Sequence, residues 1–395
     1  MTFLYDVVNL QFVLIIYFLV VSYLRLDELR SSLILGHIVI IFLLNGVLFP
    51  TTYMPDQLRY LQATQDFRGT FSLSDLSFTQ SIPGAVFALI PLPFIKSVQS
   101  ISMINFILYL SIFVFMKKKN ISNNAVDYFY LLYPSLMLYS SVALRETLVL
   151  LVMIISIYMI VIRNQHIVGI ILALPLILFK IQNFLIIVLV LFLYRFLYRL
   201  VSEKITLSKI LFTLVFISLF IVLKDYRIAI WTVGEYFSLE KIEMYRNYMY
   251  YENTGSREIG YVPISGWISL PILAIKGIFS MLFEPLPWHV KNPLQLIQSV
   301  ENIIIILLLL YLNTRKVYNK IIKQRIIFIN LFLLTSMSLY GLMVFNYGAA
   351  ARYRFGIFTI YIALYFCLIW YDKYFVLNYR KNEYMNGIAI SNTNN

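Results

Sequence analysis

Residues 131–162 read LLYPSLMLYSSVALRETLVLLVMIISIYMIVI, an apolar run whose only charged side chains are Arg145 and Glu146. Its length suits two membrane-spanning helices, because one span needs about 20 mostly apolar residues. Placing a guanidinium at or near hydrocarbon costs roughly a few kcal/mol at least, so a charged group there is a candidate functional group. The stretch therefore predicts both a membrane fold and the neighbourhood of a site.

The composition extends this prediction to the whole chain. Its 395 residues are 61% hydrophobic and 13% charged, whereas about 25% of the residues of a soluble protein are charged. Backbone groups inside a bilayer must be satisfied within the protein, which favours helices. We therefore expect an all-α polytopic integral membrane protein. One Cys excludes a disulfide framework and a Cys-based metal site. Basic loops explain the net charge of +13 better than nucleic acid does.

Hydropathy divides the chain into about eleven predicted spans. They cover residues 3–24, 31–49, 99–116, 125–143, 146–163, 166–180, 182–199, 207–223, 295–313, 326–346 and 353–371. Two further apolar stretches, 82–97 and 264–283, are interrupted by Pro or Gly. Irregular backbone at membrane depth is tolerated when it is buried in protein or lines a cavity. We therefore expect these two stretches to be re-entrant or interfacial segments.

The distribution of positive charge orients the predicted spans. Strongly basic connections occur at 117–119, 195–209 and 315–325. The excess of Lys and Arg in cytoplasmic loops places all three inside. Two long loops, about 50–81 and 224–262, then face outside. We expect residues 1–395 to form a single transmembrane domain that carries these two outer loops.

Four polar features converge on the predicted outer face. They are residues 54–60, 141–146, 283–289 and 346–354, and three of them contain Arg. A guanidinium presents a rigid fork of donors that suits phosphate and pyrophosphate. The alternative for each Arg is a snorkelling side chain or an interhelical ion pair. Arg145 and Glu146 point about 100° apart on a helix, so we expect each to have a different partner.

Acid–base and sugar-binding candidates are few. Asp56 begins an outer loop, Glu146 and Glu284 lie near the outer surface, and His289 is the one His expected outside. Tyr248 and Tyr251 belong to a Tyr-rich stretch of the long outer loop. Such rings can stack on sugars, or they can form the aromatic belt that Tyr and Trp make at membrane interfaces. The sequence contains no metal-binding signature, and we expect no metal or cofactor.

Several short motifs resemble those of the bacterial O-antigen and exopolysaccharide repeat-unit polymerases (Wzy-like proteins). The segment 133–146 looks like that family's Pro-Ser … Ser-x-x-x-Arg-Glu helix junction, and residues 56–60 are similar to its acidic-Tyr motif. Residues 285–288, Pro-Leu-Pro-Trp, followed by Glu301 and Asn302, look like its Pro-x-Pro-Trp segment. Arg352-Tyr353-Arg354 resembles its Arg-Tyr-Arg motif before the final span.

The resemblance implies a GT-C-like membrane glycosyltransferase bundle in the bacterial inner membrane. Such an enzyme would transfer a growing glycan from undecaprenyl pyrophosphate onto another lipid-linked repeat unit at the outer face. A chain-length regulator and a flippase would be further partners. The implied catalytic residues are Arg145, Glu146 and Asp56. It also implies that Arg145, Arg352 and Arg354 bind pyrophosphate or orient the glycan, and that Asp56 and Arg59 line the same cavity. Together with the candidates from the residues themselves, the expected substrate-binding residues are Arg352, Arg354, Arg59, Tyr353, His289, Tyr248 and Tyr251. No single base is assigned.

Two other classes of membrane protein also need cations in a cavity. A flippase for lipid-linked oligosaccharides would hold pyrophosphate, but it would usually show even spans, short loops and internal two-fold similarity. An O-antigen ligase or a related lipid-linked sugar transferase would differ in its acceptor. The long loop 224–262 and the interrupted segments favour the polymerase.

Overall fold

The computed structural model describes residues 2–45, 47–50, 54–202, 218, 224–225, 227–228, 231–232, 234–235, 238–251 and 257–392. For residues 2, 197–202, 227–228, 231 and 375–392 it describes the backbone alone. Apart from Ser218, the predicted span 207–223 lies outside the described residues, and so do Tyr236 and Phe237 of the long loop.

The described chain is helical apart from one short strand pair. The helices are α1 (Thr2–Leu24), α2 (Glu28–Leu44), α3 (Asp56–Thr70), α4 (Phe78–Leu89), α5 (Val98–Lys118), α6 (Asn124–Leu132), α7 (Pro134–Ser140), α8 (Glu146–Val161), α9 (His166–Ala173), α10 (Pro175–Ser202), α11 (Leu239–Tyr251), α12 (Ser269–Phe283), α13 (Pro293–Asn313), α14 (Lys320–Met343) and α15 (Tyr347–Asn392). The two-residue strands β1 (Arg227–Ile228) and β2 (Trp231–Thr232) pair antiparallel.

Six of the described helices are long and apolar enough to cross a membrane. These stretches are Phe3–Leu24, Val98–Lys118, Pro175–Phe196, Pro293–Asn313, Lys320–Met343 and Tyr347–Tyr374. Shorter apolar helices lie at Phe78–Leu89, Glu146–Val161 and Ser269–Phe283. The chain is therefore a helical multi-pass membrane protein by length and composition, whereas the count of about eleven spans and the GT-C-like bundle stay predictions.

One predicted span is divided in the structure, for an identifiable reason. The predicted span 125–143 is two helices, α6 and α7, which meet at Tyr133 and Pro134. A proline pushes the residue before it out of the helical region, and Tyr133 is extended (φ −68°, ψ 108°). The predicted outer loop 50–81 contains helix α3, and the long loop 224–262 contains helix α11.

By internal contacts the chain divides into two compact units. The first contains residues 1–188, 307–330 and 355–395, and the second contains residues 189–306 and 331–354. In the first unit α5 is the central element, because it packs against α1, α2 and α8 and most of its side chains are buried. The expectation of one transmembrane domain stays a prediction.

Helices α3 and α4 form a tightly packed pair in the first unit. A Cβ added at Gly84 of α4 would lie 2.4 Å from Cβ of Ala63 in α3, so the two backbones approach closely. Arg68 of α3 donates hydrogen bonds to the carbonyls of Ala88, Ile90 and Leu92, where α4 ends. Burial lowers the pKa of Arg68 from its ordinary value. The irregular backbone that follows α4 is thus satisfied by protein.

The basic ends of several helices of the first unit lie together. Arg25, Arg30, Lys117 and Lys118 line one cleft of about 520 Å³. The carboxylate of Asp127 lies between Arg30 and Lys117, which both donate hydrogen bonds to it. This end contains the predicted cytoplasmic connection 117–119.

Helix α15 packs at the same end of the first unit. Cys367 of α15 lies 3.7 Å from the carbonyl oxygen of Asn120, measured from its sulfur. Five residues further along, Asp372 accepts hydrogen bonds from the backbone amides of Tyr318 (3.1 Å) and Asn319 (2.8 Å). The basic connections 117–119 and 315–325 therefore lie at the same end of this unit, as the positive-inside prediction requires.

The second unit has its own close helix crossing. A Cβ added at Gly277 of α12 would lie 2.7 Å from the backbone carbonyl carbon of Gly341 in α14. Near this crossing the buried Arg246 of α11 donates from Nε to the carbonyl oxygen of Leu342 (2.8 Å). The helix of the long loop is thereby fixed to the end of α14.

Candidate functional site

The irregular segment 141–145 joins α7 to α8, and amide side chains hold it from three helices. Asn105 of α5 donates from Nδ2 to the carbonyls of Val142 (2.7 Å) and Leu144 (2.6 Å). Side chains that hydrogen-bond a buried, non-helical backbone replace the helical bonds it has lost. The backbone immediately before Arg145 is therefore fixed from the α5 side.

Two further amides complete this support. Asn45, which follows α2, donates from Nδ2 to the carbonyl oxygen of Ser141 (2.9 Å). Gln57 of α3 accepts a hydrogen bond on Oε1 from the backbone amide of Ala143 (2.9 Å). The contact of Gln57 brings the predicted features 54–60 and 141–146 together. The sequence analysis did not single out any of these amides, although all three are buried.

Arg145 stands at the N-terminus of α8 and reaches α4. Its Nη1 donates to the carbonyl oxygen of Thr79 (2.6 Å), in the first turn of that helix. Its Nε is buried, and no residue in the described parts of the chain accepts a hydrogen bond from it. The guanidinium therefore links the helix junction to the start of α4, the helix that continues into the segment 82–97.

Glu146 has a different partner, as the helix geometry predicted. Its carboxylate lies 3.9 Å from Nζ of Lys180, and both side chains are buried. Lys180 is the one residue of α10 with non-helical backbone angles (φ −163°, ψ 82°). The sequence analysis placed Lys180 at the end of a span and gave it no role. Its position inside an otherwise apolar run was the signal that could have identified it.

Asp56 and Arg59 pair with each other on α3. They form an ion pair on α3, one turn apart at 3.5 Å, and both side chains are substantially exposed. Their neighbour Gln57 makes the contact with segment 141–145 instead. The expectation that Asp56 and Arg59 line the same cavity as Arg145 stays a prediction.

In the second unit Arg354 joins two of the predicted features. It is fully buried, and its Nη1 donates to the carbonyl oxygens of Met281 (3.1 Å) and Glu284 (2.9 Å). Its Nε and Nη2 are buried as well, and no described residue accepts a hydrogen bond from either. Features 283–289 and 346–354 therefore meet at one guanidinium, which has two nitrogens available to donate further hydrogen bonds.

Arg352 and Tyr353 belong to the same motif but point elsewhere. Residues two apart on a helix point about 200° apart, so Arg352 and Arg354 lie on different faces of α15. Arg352 is half-buried. The ring of Tyr353 stacks on that of Tyr340, with centroids 4.8 Å apart and planes at 14°. Tyr353 thus packs against α14.

His289 lies on the surface. It ends the 3-10 helix Pro287–His289 and is exposed, as is its neighbour Trp288. Glu258 is a residue that the sequence analysis gave no role. Its carboxylate accepts hydrogen bonds from Nε2 of Gln295 and from the backbone amide of Tyr347, both at 3.2 Å. It connects the end of the long loop to the starts of α13 and α15.

The aromatic cluster of the long loop has both a buried and an exposed part. The rings of Tyr250, Tyr251, Tyr261 and Phe345 contact one another, with centroids 4.9–6.1 Å apart. Tyr251 is exposed at the edge of this cluster, and Tyr248 is exposed on α11. The surface-facing rings are the ones that remain accessible to a ligand.

An ion pair between the buried Arg246 and the partly exposed Glu243 anchors the cluster. Glu243 accepts hydrogen bonds from Arg246 (3.1 Å) and from the hydroxyl of Tyr261. Burial, followed by the bond to Glu243, raises the pKa of Tyr261 above its ordinary value. The guanidinium of Arg246 lies 5.3 Å from the centroid of the Tyr261 ring. Arg246 therefore serves the packing of the loop.

The cleft at the basic end does not coincide with the Arg145 junction. Asn105 of α5 contacts the junction, whereas Lys117 and Lys118 line the cleft at the far end of the same helix. Twelve residues of helix separate these positions by about 18 Å. Among the described residues, no group of three His, Cys, Asp or Glu side chains is placed to hold a metal ion.

Comparisons with protein-family models, curated proteins and solved structures give no match to this chain. Its function must therefore be inferred from the site residues, which fall into two sets, one in each unit. Arg145 and Glu146 lie in the first unit, as do Asp56 and Arg59. Arg352, Tyr353 and Arg354 lie in the second unit, together with His289, Tyr248 and Tyr251.

Proposed function

We propose that the chain is a membrane glycosyltransferase that polymerises lipid-linked oligosaccharide repeat units. It transfers a growing glycan from undecaprenyl pyrophosphate to a hydroxyl of another lipid-linked unit at the outer face of the bacterial inner membrane. The proposal is supported by buried cations in a chain of apolar helices, by the motif resemblance and by the exposed aromatic side chains of the long loop.

The observation that carries the proposal is the buried guanidinium of Arg354. Two of its nitrogens have no acceptor among the described residues, and a buried donor without an acceptor costs about 1–3 kcal/mol, more for a charged group. Phosphate oxygens fit the guanidinium fork and would remove that cost. A lipid-linked pyrophosphate is an anion that is held in the membrane by its lipid, and it can therefore reach a donor inside a membrane protein.

Arg145 provides a second guanidinium under similar constraint. The bond from Nη1 to the carbonyl oxygen of Thr79 fixes its direction, while its buried Nε has no acceptor in the described chain. Positive charge that is already oriented stabilises the charge developing on a leaving group without reorganisation during the reaction. Arg145 in the first unit and Arg354 in the second are thus each a candidate to bind pyrophosphate, and the exposed Tyr248 and Tyr251 are candidates to bind the glycan.

The reaction needs a proton acceptor in addition to positive charge. The bond between C1 of the donor sugar and the pyrophosphate oxygen breaks, and a bond from C1 to the acceptor oxygen forms. Undecaprenyl pyrophosphate leaves with the electron pair, and the proton of the acceptor hydroxyl goes to a carboxylate. We assign that role to Glu146, because it is buried next to Arg145, whereas the side chain of Asp56 is 34% exposed.

Deletion of the gene tests the class of activity. For a polymerase, the deletion strain makes surface glycan with one repeat unit only, and complementation restores long chains on a polysaccharide gel. For a flippase, the deletion strain shows no repeat unit on the surface at all. That second pattern would exclude the proposal.

Substitution of Arg354 tests the site. Lys keeps the charge but loses the fork, so we expect Arg354→Lys to lower the rate of chain extension by about 10-fold or more. Arg315→Ala is the matched control, because Arg315 is exposed at the basic end of α13, and it should retain full chain length. Wild-type chain length in cells with Arg354→Lys would remove Arg354 from the site.

A further inference from the structure

Lys180 and Glu146 form an ion pair in an apolar part of the first unit. Their side chains are 7% and 3% exposed, and the charged groups lie 3.9 Å apart. Removing two charges from water costs several kcal/mol per ion, and their mutual attraction often does no more than offset that cost. A stabilising role alone is therefore a weak reason for such a pair.

The backbone at Lys180 is also exceptional. Lys180 interrupts helical geometry within α10, with φ −163° and ψ 82°. A break of this kind frees backbone groups that must be satisfied inside the protein, and broken helices at membrane depth often mark binding sites. The break and the charge occur at the same residue.

The hairpin of α8 and α9 brings Lys180 to Glu146. The short connection 162–165 makes the two helices antiparallel, and Oγ of Ser156 donates to the carbonyl oxygen of Gly169 (2.7 Å). From Gly169 to Lys180 is 11 residues, and from Ser156 back to Glu146 is 10 residues. The two sides are nearly equal in length, although α9 ends at Ala173 and α10 begins at Pro175, and Lys180 comes to lie 3.9 Å from Glu146.

The contact at Gly169 fixes this register. A Cβ at Gly169 would lie 2.4 Å from Cγ1 of Ile160 and 2.9 Å from the carbonyl oxygen of Ser156. A side chain larger than hydrogen would separate the helices there, so sliding of α9 along α8 is restricted. The position of the ammonium relative to the carboxylate is thus set by packing.

We infer that Lys180 is a positioning residue, which holds the Glu146 carboxylate in place to accept the proton of the attacking hydroxyl. The inference rests on the proposed function. The backbone of residues 141–145 is fixed by amide side chains and leads directly into Glu146. The amides thus restrain the backbone that precedes Glu146, and Lys180 restrains its side-chain carboxylate. A proton acceptor must lie within hydrogen-bond reach of its hydroxyl, so this restraint affects rate.

The test measures polymer formation by purified protein in proteoliposomes. The probe is the lipid-linked repeat unit extracted from the deletion strain, which accumulates it. The variants are Lys180→Met, Lys180→Arg, Glu146→Gln and the double variant Glu146→Gln with Lys180→Met. Thermal unfolding in detergent checks each variant for folding.

We expect Glu146→Gln to lower kcat by about 10²–10⁴-fold, the usual contribution of a general base. Lys180→Met should lower kcat by about 10-fold or more at nearly unchanged KM, and Lys180→Arg should recover most of that loss. The double variant should be no slower than Glu146→Gln, because Lys180 acts through Glu146.

Several results would overturn the inference. If the pair is structural, the double variant keeps wild-type kcat, because a buried ion pair can be replaced by uncharged groups of similar volume. If Lys180 binds pyrophosphate directly, Lys180→Met raises KM and the two losses multiply. Wild-type kcat in Glu146→Gln also overturns it, even if Lys180→Met fails to fold. A wild-type protein that forms no polymer from these units overturns the proposed function itself.

Discussion

Amide side chains decide the conformation of the backbone that carries Arg145. Asn105 is fully buried, and its Nδ2 serves two carbonyls of segment 141–145 that no helix satisfies. A buried carbonyl without a donor costs about 1–3 kcal/mol. The position of Arg145 and Glu146 therefore depends on a neutral residue on another helix.

This dependence predicts the effect of changing Asn105. Asn105→Asp replaces the donating amide with a carboxyl oxygen opposite two carbonyls, so we expect a loss of about 2–4 kcal/mol of unfolding free energy. Thermal unfolding of the purified protein in detergent measures it. Ser111→Ala is the control on the same helix, because Ser111 is exposed. Equal melting temperatures for the two variants would contradict the role given to Asn105.

At the scale of helices, glycines determine which elements cross closely. Gly277 and Gly341 bring the backbones of α12 and α14 into contact, and Gly84 does the same for α4 against α3. Gly36 of α2 has open space around the position of its Cβ. The sequence alone does not distinguish these glycines, since all four lie in apolar surroundings.

The glycines predict opposite outcomes for one chemical change. Gly277→Ala forces a methyl group into the backbone of Gly341, and overpacking of this kind costs about 1–3 kcal/mol. Gly36→Ala meets nothing and should stabilise α2 by up to about 1 kcal/mol through helix propensity. Thermal unfolding in detergent measures the melting temperatures of the two variants. A melting temperature for Gly277→Ala at or above that of Gly36→Ala would show that α12 and α14 do not cross here.

For the whole molecule, the side of the membrane decides whether the proposed chemistry is possible. The basic cleft lies at the C-terminal end of α5, and the Arg145 junction contacts the same helix about 18 Å towards its N-terminus, so we expect the junction nearer the opposite side. Cys367 is the single cysteine of the sequence and is buried, which makes its replacement a suitable background for reporter cysteines.

Labelling with a membrane-impermeant maleimide tests this orientation. Ser72 and Lys118 are both exposed, and Ser72 precedes the helix that Arg145 contacts. In a Cys367→Ala background we expect Ser72→Cys to react in intact cells. Lys118→Cys should react only after permeabilisation. The reverse pattern would place Arg145 in the cytoplasm and would exclude chemistry at the outer face.

Sequence patterns predicted local properties well and contacts poorly. The pair Arg145–Glu146 stood out because charge is costly in an apolar run, and the separate partners of its members followed from helix geometry. Lys180, Gln57 and Asn105 were missed, because an amide or a span-end lysine looks ordinary until a partner is known. Pro134 was visible in the sequence, yet its division of a span into α6 and α7 was not predicted.

The sequence by itself determined that the chain is a helical membrane protein with charged groups in apolar surroundings. Hydrophobicity and backbone satisfaction are local properties that a run of residues reports directly. Only the tertiary structure decided that Glu146 pairs with Lys180 and that Arg354 binds the carbonyls of Met281 and Glu284. Such contacts join residues 34 and 70–73 positions apart, and packing selects them from many pairings that the sequence permits equally.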